Sequence, residues 1–276
     1  MKFFAKIALI FFMMTAGWFG LQSNRQSSVA QGQTGKTNQV PTLFVHGFGG
    51  SYASEKGMID GLSQYAGYQE VLYYLIKRDG RLVVKGKWRP NVKHPLIAVV
   101  FESGNPEDAS ALGKILKQLK TRYGVRYFNA VGHSAGSLGW TYWASQANKT
   151  GMPSLKKFAA VGGPFNAIPG MGVNSGKTVT KNSKGQLQKM SKQYADFYRN
   201  RQFFPKTAKV LNLFGNLGDG SDGRVPIGSA KSLRYLVADR VREYTEHEIR
   251  HRAQHSQLHQ RNKVVNAHLY KFLNQK

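Results

Sequence analysis

The sequence contains no cysteine, and this one absence removes several kinds of chemistry together. No disulfide can staple the fold, no thiol can act as a nucleophile, no thiolate can hold zinc, and no lipid can be attached through sulfur. Stability must therefore come from a packed core, for which 276 residues at 41% hydrophobic composition are enough. Acidic side chains are also scarce: 14 Asp and Glu stand against 40 Lys and Arg, a formal net charge of +26. So basic a chain disfavours a bound cation and surrounds itself with a positive field. It lacks a helix-turn-helix, zinc-finger spacing and an RNP-like aromatic strand, so the charge does not read as nucleic-acid recognition.

Long apolar runs are scarce too. The clearest is Ile7 to Leu21, preceded by Lys2 and Lys6 and followed by the small residues Ser28, Val29 and Ala30. Residues 1–30 read as a signal peptide cleaved before Gln31, or as an N-terminal membrane anchor, since Phe3 to Leu21 is close to a bilayer span. Either reading predicts export, to the extracellular space or the cell surface. Residues 31–39 are polar and small and read as a tether, leaving 40–276 as one α/β domain. Without Lys2, Lys6 and Arg25 the net charge is still +23. For an exported protein, that surplus predicts an anionic envelope polymer or acidic lipid headgroup as partner.

What is present centres on Gly132, His133, Ser134, Ala135 and Gly136. An apolar stretch (Phe128, Ala130, Val131) precedes this G-x-S-x-G, and a helix-compatible segment follows it. A serine where a strand turns sharply into a helix has a strained backbone and an exposed hydroxyl, and the flanking glycines let strand and helix cross closely. Ser134 is thus the candidate nucleophile. Upstream, the strand Thr42 to Val45 runs into His46, Gly47, Phe48, Gly49, Gly50, a turn whose amides can converge on one point. The backbone N–H groups of Phe48 and Ala135 are the candidate oxyanion donors, and His46 reads as a buried support of the turn.

Between these motifs, Ser51 to Tyr65 reads as a helix. Glu70 to Lys77 and Arg81 to Trp88 read as a hairpin around Asp79–Gly80, and Leu96 to Phe101 as a strand buried on both faces. A helix opens at Glu107 or Asp108. After the elbow, Ser137 to Gln146 is a helix with core aromatics, and Lys157 to Val161 is a strand ending at Gly162, Gly163, Pro164, Phe165, Asn166. From about 166 to 200 the composition turns polar and Gly-rich, which predicts a cap insertion over the serine, helical from Leu187 to Tyr198.

The strand Lys209 to Gly215 leads into a loop with two aspartates. Chain order in serine hydrolases of this type is Ser, then the acid, then His. Asp222 is preferred because Gly223, Arg224, Val225 and Pro226 lead back into a packed segment; Asp219 is the rival. The paired acids offer closely spaced oxygen ligands, but the twelve-residue loop and closing Glu of a calcium site are absent. Ser229 to Val237 reads as one short helix and Val241 to Ile249 as the last strand. His251, His255 and His259 then recur every four residues, but H-E-x-x-H is absent. His255 holds the loop position before the closing helix, Val264 to Leu273, and is the candidate base, with His259 and His251 as alternatives. No cofactor or metal is expected.

Taken together, H-G-F-G-G, G-H-S-A-G, G-G-P-F-N, S-D-G-R-V-P and H-S-Q-L-H resemble a family of α/β-hydrolases from Gram-positive bacteria, catalogued as a domain of unknown function and described as cell-surface hydrolases. The resemblance covers Val40 to Lys276. It implies the α/β-hydrolase fold, with a mostly parallel eight-stranded sheet flanked by helices, and Ser134, Asp222 and His255 as nucleophile, acid and base. It also implies a lipase-like or esterase-like activity on an acyl ester or another small carbonyl substrate, with an amidase or peptidase, or a non-catalytic envelope-binding protein, as the other readings.

Overall fold

Leu96 to Phe101 is apolar at every position, and in the computed structural model, which describes residues 37–275, every one of these side chains is buried. The elements run β1 (Thr42–Val45), α1 (Tyr52–Ser63), β2 (Tyr68–Ile76), β3 (Leu82–Gly86), β4 (His94–Phe101), α2 (Ala109–Tyr123), β5 (Tyr127–His133), α3 (Ala135–Ala144) and β6 (Ser154–Val161). They continue with β7 (Thr180–Lys181), β8 (Leu187–Gln188), α4 (Lys192–Asn200), β9 (Lys209–Gly215), α5 (Ile227–Lys231), α6 (Leu233–Val237), β10 (Glu243–Ile249) and α7 (Lys263–Asn274). Eight strands form one sheet in the order β10-β9-β6-β5-β1-β4-β2-β3. All neighbours pair in parallel except β2 with β3, the hairpin that supplies the antiparallel edge. This is the mostly parallel α/β sheet the motifs imply.

Helices cover both faces. On one, Leu43, Val99, Ala130 and Phe158 pack with residues of α2, α3, α4 and α6; on the other, Phe44, Ala98, Val131 and Leu211 pack with α1 and α7. Local chemistry sets the helix ends: the Asp108 carboxylate accepts from the Ser110 and Ala111 amides at the start of α2, and Gly124, at φ 68°, closes it in the left-handed region. In α3 both tryptophans are buried and belong to the core, as expected.

Two expected helices take other forms. Leu187 and Gln188 pair with Lys181 and Thr180 as a small hairpin, and α4 begins only after Ser191, whose hydroxyl accepts the Tyr194 amide. A good cap four residues into the expected helix, preceded by Lys189 at φ 61°, sets that start. The segment 229–237 is two short helices, α5 and α6, meeting at Ser232. Tyr194 and Phe197 of α4 are fully buried, and the Phe197 ring lies 4.5 Å from that of Tyr142 in α3. The aromatics of α4 therefore join the core of the flanking layer. The N-terminal segment 1–30, and with it the export reading, lies outside the described residues; among those described, no helix is long and apolar enough to cross a membrane.

Candidate active site

Strands β9, β6, β5 and β1 are adjacent and parallel, so the loops after them meet at one end of the sheet. Ser134 follows β5 with φ 53° and ψ −122°, the strained backbone expected of the elbow. The glycines around it make close crossings. A Cβ on Gly136 would sit 2.2 Å from the Val45 carbonyl oxygen, and one on Gly132 would sit 2.5 Å from the Ser137 amide nitrogen.

The Ser134 hydroxyl donates to His255 Nε2 at 2.9 Å, and His255 Nδ1–H donates to Asp222 Oδ2 at 2.7 Å. A carboxylate only accepts, so it holds the proton on Nδ1 and leaves the Nε2 lone pair facing the serine. Asp222 is buried, and its other oxygen accepts from the Arg224 and Val225 amides. The two loops are tied directly, because the His255 amide donates to the Asp222 carbonyl at 2.8 Å. The rivals lie elsewhere. Asp219 is exposed and accepts from Ser221 within its own turn, His251 is exposed after β10, and His259 donates to the Ser54 carbonyl. The three histidines share no helix: a 3-10 turn spans only His255–Leu258.

The oxyanion candidates border the serine. A Cβ on Gly47 would lie 3.0 Å from Ser134 Cβ, which puts the Gly47–Phe48 peptide beside it, and Ala135 opens α3 as the next residue. His46 is fully buried: Nε2 accepts from the Phe101 amide at 2.9 Å and Nδ1–H donates to the Gly47 carbonyl at 2.7 Å. With both nitrogens engaged, and its pKa lowered by burial, it is a neutral brace for the turn.

Against this geometry the comparisons can be placed. The profile of a family described as alpha/beta hydrolase of unknown function (DUF915) matches residues 30–276. The chain belongs to this family. Among solved structures, the lin2722 gene product of Listeria innocua is 29% identical, with a TM-score of 0.76 over 87% of this chain and 95% of that one. An inferred cell surface hydrolase from Lactobacillus plantarum is 23% identical, with a TM-score of 0.68 over 87% and 91%. A comparison with proteins of curated function gives no match.

In this member of the family, three residues beside the site carried no assignment from the sequence. His133 donates from Nε2 to the His255 carbonyl at 3.1 Å, and its ring lies 4.8 Å from that of His255 and 4.2 Å from that of His259. Burial, then the neighbouring His259 and His255, pushes its pKa well down, and burial also lowers that of His259. Gly162, at φ 60°, and Gly215 pass under the site: a Cβ on the first would lie 3.4 Å from Asp222 Oδ2, and one on the second 2.8 Å from Asp222 Cβ. Gly162 was visible as part of G-G-P-F-N and His133 as part of G-H-S-A-G, though neither had a role of its own; the packing of Gly215 had no local signal, because its partners are distant in sequence.

Proposed function

We propose that the chain is an exported serine hydrolase that cleaves carboxylic esters through Ser134, His255 and Asp222. The observation that carries the proposal is the continuous hydrogen-bonded line from Ser134 Oγ through His255 to the buried Asp222, anchored on a strained elbow. His255 takes the serine proton as Oγ attacks the ester carbonyl, and Asp222 stabilises the imidazolium. The Phe48 and Ala135 amides meet the oxyanion. His255 returns its proton to the leaving alcohol, and an acyl-enzyme remains. Water, deprotonated by His255, then releases the acid and restores the serine.

Esters rank ahead of amides because an alkoxide leaving group needs less help from the acid than an amine does. The N-terminal apolar run and the net charge of +26 support an envelope location and an anionic partner there. Hydrolysis of a short p-nitrophenyl ester and labelling by a fluorophosphonate probe test the proposal. The wild type should do both and Ser134→Ala neither, with the fold intact by circular dichroism; turnover or labelling that survives the substitution would overturn it. A folded wild type that binds cell walls without either activity would favour a binding protein instead.

A further inference from the structure

The opposite end of the sheet carries a second chemistry. Parallel register aligns Thr42, Asn129, Lys157 and Lys209 across β1, β5, β6 and β9, with Glu243 of β10 completing the row. Neighbours in register share a face. Two residues further along these strands, that face holds Phe44, Val131, Ala159 and Leu211 in the apolar cluster with α1 and α7. It therefore turns from apolar to polar in one step, at the N-terminal ends of the strands, away from Ser134.

A cavity of about 840 Å³ opens there. Lys93, Lys156, Lys157, Lys209 and Arg242 line it, and no carboxylate side chain is among its described lining residues. Lys157 is 8% exposed and donates to the carbonyl oxygens of Leu273 and Gln275 at 2.7 and 2.5 Å, at the end of α7. Burial, with Lys209 and Lys156 nearby, lowers its pKa to about 8 despite the opposing pull of Glu243, which is paired with Lys209 at 2.7 Å. Capping a helix end requires one cation; with Lys209 paired to Glu243, the other four around the cavity still repel each other unless they share an anion. The same walls also offer acceptors that lack donors. Asn129 is buried and gives its amide N–H to Thr42 Oγ1 at 3.3 Å, yet Asn129 Oδ1 and Gln275 Oε1 have no hydrogen-bond partner. Buried acceptors of this kind call for a ligand that brings hydroxyl protons.

We infer that this cavity is a second binding site, for a phosphate that carries free hydroxyl groups: the cations take the phosphate oxygens, and Asn129 and Gln275 take the hydroxyl protons. Asn38 also lines the cavity, so the chain enters the domain beside it. A polyol phosphate reaches such a site either free in solution or as the headgroup of a lipid.

Calorimetric titration of the full chain at pH 7 with glycerol 1-phosphate tests the inference, with inorganic phosphate and glycerol as half-ligands. Glycerol phosphate should bind saturably, about 10-fold tighter than inorganic phosphate, and glycerol alone should not bind. The double variant Lys93→Ala, Arg242→Ala, at two exposed positions, should weaken binding about 10-fold and leave ester turnover unchanged. Raising the pH to 9 should weaken it further as Lys157 loses its proton, since Lys209, Lys156 and His94 around it supply no new negative charge. Vesicles of phosphatidylglycerol and phosphatidylcholine separate the sources. A phosphatidylglycerol preference that free glycerol phosphate competes away and the double variant loses assigns the headgroup; a preference indifferent to both assigns the free phosphate. No saturable binding, equal affinity in the double variant, or inorganic phosphate binding as tightly as glycerol phosphate would overturn the inference.

Discussion

Asp222 and Asp219 lie three residues apart in one loop, yet only one of them can hold a charge against His255. Asp222 is 1% exposed, accepts two backbone amides on one oxygen and has the other aimed at the imidazole. Asp219 faces solvent and spends its carboxylate on the turn at Ser221. Asp222→Asn places an amide where an acceptor is needed and frees His255 to adopt the wrong tautomer, so kcat/KM for the p-nitrophenyl ester should fall by about 10³ to 10⁴. Asp219→Asn should stay within about twofold, as expected of a surface change. The same assay on both purified variants checks this, and equal losses with both folds intact would remove Asp222 from its role. The comparable pair among the histidines is His255→Ala, with a loss of about 10³ or more, against His259→Gln, which keeps a side-chain N–H for the Ser54 carbonyl and should retain most activity.

At the scale of elements, the excursion between β6 and β9 depends on one side chain. Asn166 is fully buried; its Oδ1 accepts the Ser191 amide at 2.8 Å, and its Nδ2 donates to the carbonyls of Asn174, Lys177 and Lys189. One residue thus ties the base of the loop, the approach to the β7–β8 hairpin and the start of α4. Asn166→Ala leaves several backbone groups without partners, at a cost of about 2 kcal/mol. Urea titration should show that loss, and limited proteolysis should cut first within 167–190. Fluorophosphonate labelling of Ser134 should persist below the transition, because α4 is held independently by Tyr194 and Phe197 in the core. Labelling lost in parallel with stability would instead show that the excursion supports the serine itself.

For the molecule as a whole, the acid furthest from its ordinary behaviour is Glu55 in α1. Its side chain is fully buried, neither carboxylate oxygen has a partner, and burial raises its pKa to about 8. The folded state thus keeps a proton that the unfolded chain releases near pH 4.5, so this residue lowers stability progressively as pH rises from about 4.5 to about 8. Glu55→Gln removes the titration. The difference in unfolding free energy between variant and wild type should grow in the variant's favour by at most about 1.4 kcal/mol per pH unit across that window, then level off. Denaturant titrations at pH 5, 6.5, 8 and 9 measure it; a difference independent of pH would show that Glu55 does not carry the proton.

Much of the site was readable from short stretches of sequence. The elbow needs glycines two residues either side of Ser134, the Asp79–Gly80 hairpin needs a left-handed glycine, and α2 needs its Asp108 cap; each leaves its mark within a few residues of sequence, even though Gly136 makes its crossing against the distant Val45. The positions of α4 and of the break between α5 and α6 were missed, because an apolar period alone did not reveal the Ser191 cap or the turn at Ser232. Chain order and loop context pointed to Asp222 ahead of Asp219 and to His255 ahead of His259, but the hydrogen-bonded line that joins Asp222, His255 and Ser134 belongs to the tertiary structure. Burial and hydrogen-bond direction depend on which loop lies across from which, and β9, β5 and the 3-10 turn at His255 are far apart in sequence. The same holds for His133, which meets His255 only because the loop after β10 folds back over β5, and for Lys157, which parallel pairing of strands tens of residues apart sets beside Asn129 and Lys209.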